Sequence, residues 1–229
     1  MSGRPRKTPA AVGAIIAAVC ALVALVLTEL IIHHTTVWYL DEAVAAAVPA
    51  WRTSTLTAVM QPVTHLGDAL VAGGLTLAVG VALLLSSRLR ASGVALLVVA
   101  AGSAATGEVV KRFGDRARPP SEFAIANLPD PYSFPSGHSA ATMLLACMLG
   151  YLALRHVRWP WSVALASLGI ALAIAVGISR VYLGVHWPTD VLGGWLVAWA
   201  WAALGIGAIR TWGERTRTDS GVTRAGTSA

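Results

Sequence analysis

The chain has 229 residues, of which 56% are hydrophobic and 12% are charged, and its mean hydropathy is +0.67. That composition leaves too little polar surface for a water-soluble globule and suits one bundle of membrane-spanning helices. The formal net charge of +6 would fit nucleic-acid binding, but the basic residues are scattered between apolar stretches and form no single stripe. We therefore expect a membrane protein that binds no nucleic acid.

The cysteines argue against a disulfide-stabilised protein, and the N-terminus argues against a cleaved secretory signal. Cys20 and Cys147 both lie inside apolar stretches, so we expect inert packing thiols and no disulfide framework. Arg4, Arg6 and Lys7 precede an apolar run that is longer than the core of a secretory signal. We therefore expect an uncleaved first span.

Six apolar stretches are long enough to cross a bilayer core of about 30 Å, which needs about 20 helical residues. They are residues 10–32, 69–85, 91–110, 138–154, 161–178 and 189–209. Two of them have only about 17 residues, which tilting and snorkelling end residues accommodate. The predicted fold class is all-α: a six-span transmembrane helical bundle over residues 10–209, followed by a disordered polar tail at residues 210–229.

The segment between the first two spans has a different character. Residues 35–67 alternate between apolar and polar types and contain Trp38, Trp51, Pro49 and Pro62. Such a pattern is typical of helices that lie in the membrane interface, and proline interrupts helices. We expect one or two interfacial helices on the outer leaflet, broken near the prolines.

The positions of Lys and Arg predict the orientation of the bundle. If residues 1–9 are cytoplasmic, eleven of the seventeen basic residues fall on the cytoplasmic side. The positive-inside rule favours this arrangement. We therefore expect a multi-pass protein of the plasma membrane with both termini in the cytoplasm.

Three polar blocks lie where apolar stretches begin or end, and on this topology all three face outside. Their candidate residues are Lys111, Arg118 and Pro119 in KRFGDRARP; Pro135, Ser136, Gly137 and His138 in PSGH; and Ser179, Arg180, His186 and Asp190 in SRVYLGVHWPTD. A phosphate ester is anionic, and its transfer requires charge neutralisation, an in-line nucleophile and an acid for the leaving oxygen. The blocks together contain groups suited to each task.

The cations and one helix start account for charge neutralisation. Lys111, Arg118 and Arg180 are suited to phosphoryl oxygens, and arginine makes bidentate contacts with them. Ser136 is placed to cap the fourth span, and Gly137 lets backbone N–H groups approach an anion closely. The acidic residues are dispersed, so we expect no metal and no other cofactor.

His186 is the candidate nucleophile. Asp190 follows one helical turn later and can accept the Nδ1 proton of His186, which fixes the tautomer and presents Nε2. A single histidine near a membrane interface usually has no chemical role. We therefore assign none to the remaining histidines, which are His33, His34, His65 and His156.

The order Lys-x6-Arg-Pro, Pro-Ser-Gly-His and Ser-Arg-x5-His-x3-Asp resembles the signature of the type 2 phosphatidic acid phosphatase superfamily. These lipid phosphate phosphatases are related to vanadium haloperoxidases. All eleven signature positions match, and the resemblance extends over residues 91–209. Thr64, Leu66 and Gly67 are also similar to bacterial integral-membrane members.

The resemblance implies a role for each matching residue. His186 would form a phosphohistidine, Asp190 would orient it, and His138 would protonate the departing oxygen. The residues implied to bind phosphate are Lys111, Arg118, Ser136, Gly137 and Arg180, with Ser179 in support. Glu108 lies outside the signature, and we expect it to pair with Lys111 along the helix rather than to select the leaving group.

We therefore predict a metal-independent enzyme that hydrolyses a lipid phosphate or diphosphate at the external membrane face. Undecaprenyl diphosphate is the leading substrate, because an external site suits recycling of a polyprenyl carrier. Phosphatidylglycerol phosphate, phosphatidic acid and diacylglycerol pyrophosphate are alternatives. A phosphotransferase that passes the phosphoryl group to another lipid or to a sugar would use the same residues.

Two other classes fit less well. A non-catalytic membrane scaffold would have no need for His138, His186 and Asp190 together. A small transporter fits the number of helices, but the charges lie at helix ends and not in the middle of the membrane, where coupling sites usually sit. The sequence leaves the oligomeric state open.

Overall fold

The fold was analysed in a computed structural model, which describes residues 8–33, 35–126 and 131–226, with side chains described as far as residue 214. Within these ranges the secondary structure is helical, apart from one isolated bridge between Ala117 and Tyr132. Arg4, Arg6, Lys7 and His34 lie outside the described residues, and so does most of the predicted cytoplasmic N-terminus.

Eight α-helices are present in the described residues. They are α1 (Pro9–Ile32), α2 (Thr36–Ala47), α3 (Ser54–His65), α4 (Gly74–Leu85), α5 (Arg90–Gly114), α6 (Gly137–His156), α7 (Trp161–Tyr182) and α8 (Pro188–Gly226). Short helical turns at Val48–Trp51, Ala69–Gly73 and Ser121–Phe123 connect some of them.

Five of the helices, α1, α5, α6, α7 and α8, are each long and apolar enough to cross a membrane. The second predicted span is built differently. A π-helical turn at Ala69–Gly73 leads into α4, and this unit is bent by 44° relative to α3. With the bent pair counted as one span, the prediction of a six-span all-α bundle is confirmed.

The segment between the first two spans is helical, as predicted, but only one of its two prolines breaks it. Pro49 is the second residue of the 3-10 turn Val48–Trp51, which separates α2 from α3. Pro62 lies inside α3, which continues to His65. The break after His65 instead coincides with Gly67 and Asp68, where the chain turns into the second span.

The far end of α8 also differs from expectation. The backbone remains helical to Gly226, whereas the sequence predicts a disordered tail from residue 210. No proline follows Pro188, so nothing in the local sequence forces the helix to stop where its apolar part ends. The cytoplasmic location of this tail stays a prediction.

The core of the bundle lies between α5, α6, α7 and α8. Its most buried members include Leu96 of α5, Met143 and Met148 of α6, and Ala198 of α8. By contrast, α1 lies at the periphery, where it packs along α8. Membrane helices with small residues at the contact approach each other closely in this way.

The three blocks singled out in the sequence meet at one end of the bundle. The backbone N–H of Ser136 donates to the carbonyl oxygen of Asp190 at 2.9 Å, which joins the start of α6 to the start of α8. A Cβ at Gly194 would lie only 2.5 Å from the carbonyl oxygen of Ser136. A residue with a side chain at 194 would therefore push the two helix starts apart.

The loop between α7 and α8 depends on a second glycine. Gly184 has φ of +73°, and a Cβ there would lie 2.1 Å from the carbonyl oxygen of Phe123. Ile125 N–H donates to the carbonyl oxygen of Leu183 at 3.0 Å. Glycine thus allows the loop that follows Arg118 to pack on the loop that carries His186.

Candidate active site

His186 and Asp190 form a buried pair at the start of α8. Their exposed fractions are 3% and 0%. Asp190 Oδ2 lies 3.3 Å from Nδ1 of His186 and accepts the backbone N–H of Trp187 at 2.8 Å. A carboxylate only accepts hydrogen bonds, so Nδ1 carries the proton and Nε2 keeps its lone pair.

Burial lowers the pKa of His186 to about 4. The Asp190 carboxylate acts in the opposite direction, whereas the charges of Arg180 and Arg118 lower the pKa further. His186 is therefore a neutral imidazole at pH 7. Only the neutral ring has a lone pair on Nε2 with which to attack phosphorus.

Arg118 lies beside the Nε2 atom of His186. Its Nη1 donates to the carbonyl oxygen of Val185 at 2.6 Å and lies 3.3 Å from His186 Nε2. A phosphoryl group that approached Nε2 would therefore meet a guanidinium at once. Lys111 lies in the last turn of α5, and Pro119 is buried immediately after Arg118.

Arg180 is buried in the last turn of α7. Its Nη1 donates to Oγ1 of Thr64 at 2.9 Å, and its charge interacts electrostatically with both His138 and His186. Ser179 is also buried, and its hydroxyl donates to a carbonyl oxygen of its own helix at 2.7 Å. The Ser179 side chain therefore supports the end of α7 in this structure.

The start of α6 leaves open space for an anion. Ser136 is the N-cap, and its Oγ accepts hydrogen bonds from the backbone N–H and the hydroxyl of Ser139, at 3.4 and 3.0 Å. Gly137 is exposed, and no heavy atom would lie within 4 Å of a Cβ placed there. The first N–H groups of a helix have no partner within the helix, and they favour anions. Pro135 is buried next to the cap.

The second histidine of the site, His138, also pairs with a carboxylate. Its Nε2 lies 2.9 Å from Oδ1 of Asp68, and the other oxygen of Asp68 lies 2.7 Å from Nδ1 of His65. Gly67 allows this contact, because a Cβ there would lie 2.9 Å from Cδ2 of His138. The bend between α3 and α4 thus brings a carboxylate to the start of α6.

Two opposing effects set the pKa of Asp68. Partial burial raises it, but the hydrogen bonds from His65 and His138, together with the charges of both rings, outweigh burial and hold the pKa below its usual range. Asp68 is therefore ionised at neutral pH. Nε2 of His138 therefore donates to the Asp68 carboxylate, which can only accept.

A further arginine and carboxylate are buried behind Asp190. Arg116 donates from Nη1 to Asp190 Oδ1 at 2.6 Å and from Nη2 to Asp41 Oδ2 at 2.6 Å. Asp41 comes from α2, and the exposed fractions of Arg116 and Asp41 are 6% and 1%. The rings of Trp38 and Trp187 lie 5.3 and 5.5 Å from the guanidinium carbon.

The structure thus places the three predicted blocks around one site. The contacts above link Arg118, Ser136, His186 and Asp190 to one another. The structure pairs Glu108 with Arg112 at 2.9 Å, one turn later on α5. The sequence predicts a pairing of Glu108 with Lys111, and this pairing stays a prediction.

Sequence reasoning missed Asp41, Arg116 and Asp68. Arg116 stands two residues before Arg118 within KRFGDRARP, but nothing in the spacing shows that it points inward. Asp68 directly follows Gly67, which the family resemblance had already marked. Only that adjacency could have drawn attention to it.

Neither the cysteines nor the acidic residues build another reactive centre in the part of the chain that the structure describes. Cys20 and Cys147 are free thiols. Across residues 8–33, 35–126 and 131–226, no group of three or more His, Cys, Asp and Glu side chains is arranged to hold a metal ion. The charges that act on the pKa of His186 include those of Arg118, Arg180 and Asp190.

Comparisons with known proteins identify the family of the chain. The PAP2 superfamily matches residues 92–214. Phosphatidylglycerophosphatase B of Bacillus subtilis is 33% identical over 165 residues, which cover 71% of this chain and 80% of that protein. An undecaprenyl-diphosphatase of Sulfolobus acidocaldarius is 35% identical over 119 residues, which cover 50% of this chain and 54% of that protein.

A solved structure shows the same fold. The transmembrane PAP2 type phosphatidylglycerolphosphate phosphatase from Bacillus subtilis superposes with a TM-score of 0.72 at 29% sequence identity. The match covers 87% of this chain and 96% of that one. The chain belongs to the PAP2 superfamily and has the multi-pass membrane fold of its phosphatases.

Proposed function

We propose that the protein is a lipid phosphate phosphatase that works through a phosphohistidine on His186. The observation that carries this proposal is the state of that side chain. His186 is buried and neutral, its Nδ1 is held by Asp190, and its Nε2 lies 3.3 Å from the Arg118 guanidinium. A nucleophile of this kind needs those three conditions.

In the first step, Nε2 of His186 attacks phosphorus. A P–N bond forms, the P–O bond to the lipid breaks, and His138 gives its proton to the departing oxygen. The product is a lipid alcohol from a monophosphate, or a lipid monophosphate from a diphosphate. Asp190 stabilises the positive charge that develops on the imidazole of His186.

In the second step, water attacks the phosphohistidine. His138, now neutral, takes a proton from the water, the P–N bond breaks, and inorganic phosphate leaves. His186 recovers its lone pair. The charge of the transferring group is met by Lys111, Arg118 and Arg180 and by the N-terminus of α6, so we expect no metal requirement.

Our leading substrate is a polyprenyl diphosphate such as undecaprenyl diphosphate, and phosphatidylglycerol phosphate is the main alternative. The names of the two relatives support one lipid each. The match to the phosphatidylglycerol-phosphate enzyme covers 71% of this chain, and the match to the undecaprenyl-diphosphatase covers 50%. Phosphatidic acid, diacylglycerol pyrophosphate and a phosphotransferase reaction also fit the same residues.

A panel assay tests the function and the substrate together. Purified protein in lipid vesicles would be given undecaprenyl diphosphate, phosphatidylglycerol phosphate, phosphatidic acid or diacylglycerol pyrophosphate, and free phosphate would be measured. We expect the highest kcat/KM for undecaprenyl diphosphate, and activity that persists in EDTA.

Each other outcome of the panel corrects a specific part of the proposal. A higher kcat/KM for phosphatidylglycerol phosphate would select the alternative substrate. Loss of activity in EDTA, restored by a divalent ion, would contradict charge neutralisation by the cationic side chains alone. Transfer to an added lipid or sugar without free phosphate would identify a phosphotransferase. No turnover of any lipid would reject the function.

We also propose that the site faces the outside of the plasma membrane, because the positive-inside rule favours that orientation. Phe123 lies in a turn next to the site, and Ser87 lies between α4 and α5 at the other end of the bundle. In a variant without Cys20 and Cys147, Phe123→Cys should react with a membrane-impermeant thiol reagent on intact cells. Ser87→Cys should react only after lysis, and the reverse pattern would place the site in the cytoplasm.

A further inference from the structure

The buried charges behind Asp190 have no part in the reaction steps above, yet they contact the reactive pair directly. Arg116 joins Asp190 of α8 to Asp41 of α2 through two hydrogen bonds of 2.6 Å. Thr189 completes the arrangement. Its hydroxyl accepts from Arg116 at 2.7 Å and donates to Asp41, and its backbone N–H donates to Asp41 at 3.1 Å.

These contacts fix the orientation of the Asp190 carboxylate. Oδ1 accepts from Arg116 and, at 3.4 Å, from the hydroxyl of Ser133. Oδ2 is left for Trp187 N–H and for Nδ1 of His186. Because both oxygens are held, the carboxylate cannot rotate without breaking a charged hydrogen bond.

The charge balance gives Asp41 a specific effect on His186. Asp41, Arg116 and Asp190 are all buried, and together they carry one negative charge. The positive charge of Arg116 offsets part of the stabilisation that Asp190 gives to a cationic imidazole. The second carboxylate restores the negative charge beside the ring that becomes cationic when Nε2 is phosphorylated.

We propose that Asp41 and Arg116 are positioning residues for His186, and that they act on it through Asp190. The inference rests on the proposed function, since it takes His186 as the nucleophile. Asp41 lies outside residues 92–214, the part of the chain that the superfamily matches. The helix α2 between the first two spans therefore supplies a part of the active site that the matched region lacks.

A purely structural role for Asp41 and Arg116 would be to hold α2 against the bundle. Arg52 is an example of a residue with such a role. Its guanidinium donates to the carbonyl oxygens of Phe123 and Tyr182, at 2.6 and 2.8 Å. Arg52 thus holds the segment between α2 and α3 against the bundle through backbone carbonyl oxygens, and these contacts do not include Asp190. Arg52→Gln is therefore a matched control for a variant that only loosens the packing of this segment against the bundle.

The test compares Asp41→Asn with Arg52→Gln in the purified full-length protein. Asn keeps the shape of Asp and removes its charge. Nitrophenyl phosphate would be the probe, and rapid-quench mass spectrometry would measure the rate of phosphohistidine formation. We expect Asp41→Asn to slow this step by roughly 10- to 100-fold with KM nearly unchanged, the range known for hydrogen-bonded partners that orient metal-ligating histidines. Arg52→Gln should change it by no more than about twofold.

A wild-type rate in folded Asp41→Asn would overturn the inference, and so would an equal loss in Arg52→Gln. If Asp41→Asn does not fold, Thr189→Val and Thr189→Ser replace it. Both keep the three buried charges, but only serine keeps the hydroxyl between Arg116 and Asp41. Thr189→Val should slow phosphohistidine formation several-fold and Thr189→Ser should not, and equal rates in the two would contradict the inference.

The experiment also separates this inference from the proposed function. If the native protein releases nitrophenol and forms no phosphohistidine, the proposed mechanism is wrong. If the native protein forms phosphohistidine and Asp41→Asn forms it equally fast, only the role of Asp41 and Arg116 is wrong.

Discussion

The site contains two histidine–carboxylate pairs, and they differ in nearly every physical property. His186 and Asp190 are one helical turn apart, and their side chains are 2% and 0% exposed. His138 and Asp68 come from different elements, and their side chains are 20% and 40% exposed. Asp190 is held in addition by Arg116, whereas Asp68 is shared with an exposed histidine.

The difference matches the two kinds of chemistry that we propose. A nucleophilic imidazole must be neutral, and its Nε2 must be oriented toward phosphorus. Burial against a fixed carboxylate provides both conditions. A general acid must recover its proton in every turnover, which is easier for a ring near water with a carboxylate that favours its protonated form. Exposure is therefore a disadvantage in the first pair and useful in the second.

Removal of the buried histidine should have the largest effect. We expect His186→Ala to abolish turnover of every substrate, because the variant lacks the proposed nucleophile and cannot form the phosphohistidine. Phosphate release and trapped phosphoenzyme would both be measured, with His156→Ala at the far end of α6 as the control that keeps activity. Phosphoenzyme in His186→Ala would show that the nucleophile is another residue.

Removal of the more exposed histidine should have an effect that depends on the substrate. We expect His138→Ala to lower kcat by roughly 10²- to 10⁴-fold on a lipid phosphate, whose alkoxide leaving group needs a proton. Nitrophenyl phosphate should lose far less, because nitrophenolate leaves without protonation. Equal losses on the two substrates would rule out a general-acid role and remove the distinction between the pairs.

Replacing the carboxylate of the exposed pair should have the smallest effect. We expect Asp68→Asn to lower kcat on a lipid phosphate by roughly tenfold and to leave nitrophenyl phosphate turnover nearly unchanged. The carboxylate favours protonated His138 and the amide does not, so activity on the lipid should begin to decline at a lower pH than in the native enzyme. A pH–rate profile that does not move would contradict this effect.

Much of the fold could be predicted from the sequence, because a membrane span is a local property. Apolar length alone located five spans and residues 69–85 of the bent pair, and the helix that follows Ser136 begins at Gly137, one residue before the predicted start. The signature also picked out His186 and Asp190, whose spacing of four residues places both on one side of a helical turn.

The remaining parts of the site depend on contacts between distant segments. Asp41 and Arg116 are 75 residues apart, and no local pattern shows that a carboxylate in an interfacial segment turns inward to meet a buried arginine. Asp68 reaches His138 only because the chain bends by 44° between α3 and α4. Proline positions predicted breaks at residues 49 and 62, but the bend formed beyond Pro62, at Gly67 and Asp68.

The contact between α1 and α8 has a consequence for biogenesis. A Cβ at Gly13 would lie 2.5 Å from the carbonyl oxygen of Ala203, so the two backbones nearly touch. Ribosomes make α1 first and α8 last among these helices, and proteins fold from the N-terminus as they are synthesised. Helix α1 therefore remains in the bilayer without its main neighbour, α8, until the rest of the bundle has been inserted. Asp190 lies on that last helix, so the His186–Asp190 pair and the contact surface for α1 are completed by the same final step of translation.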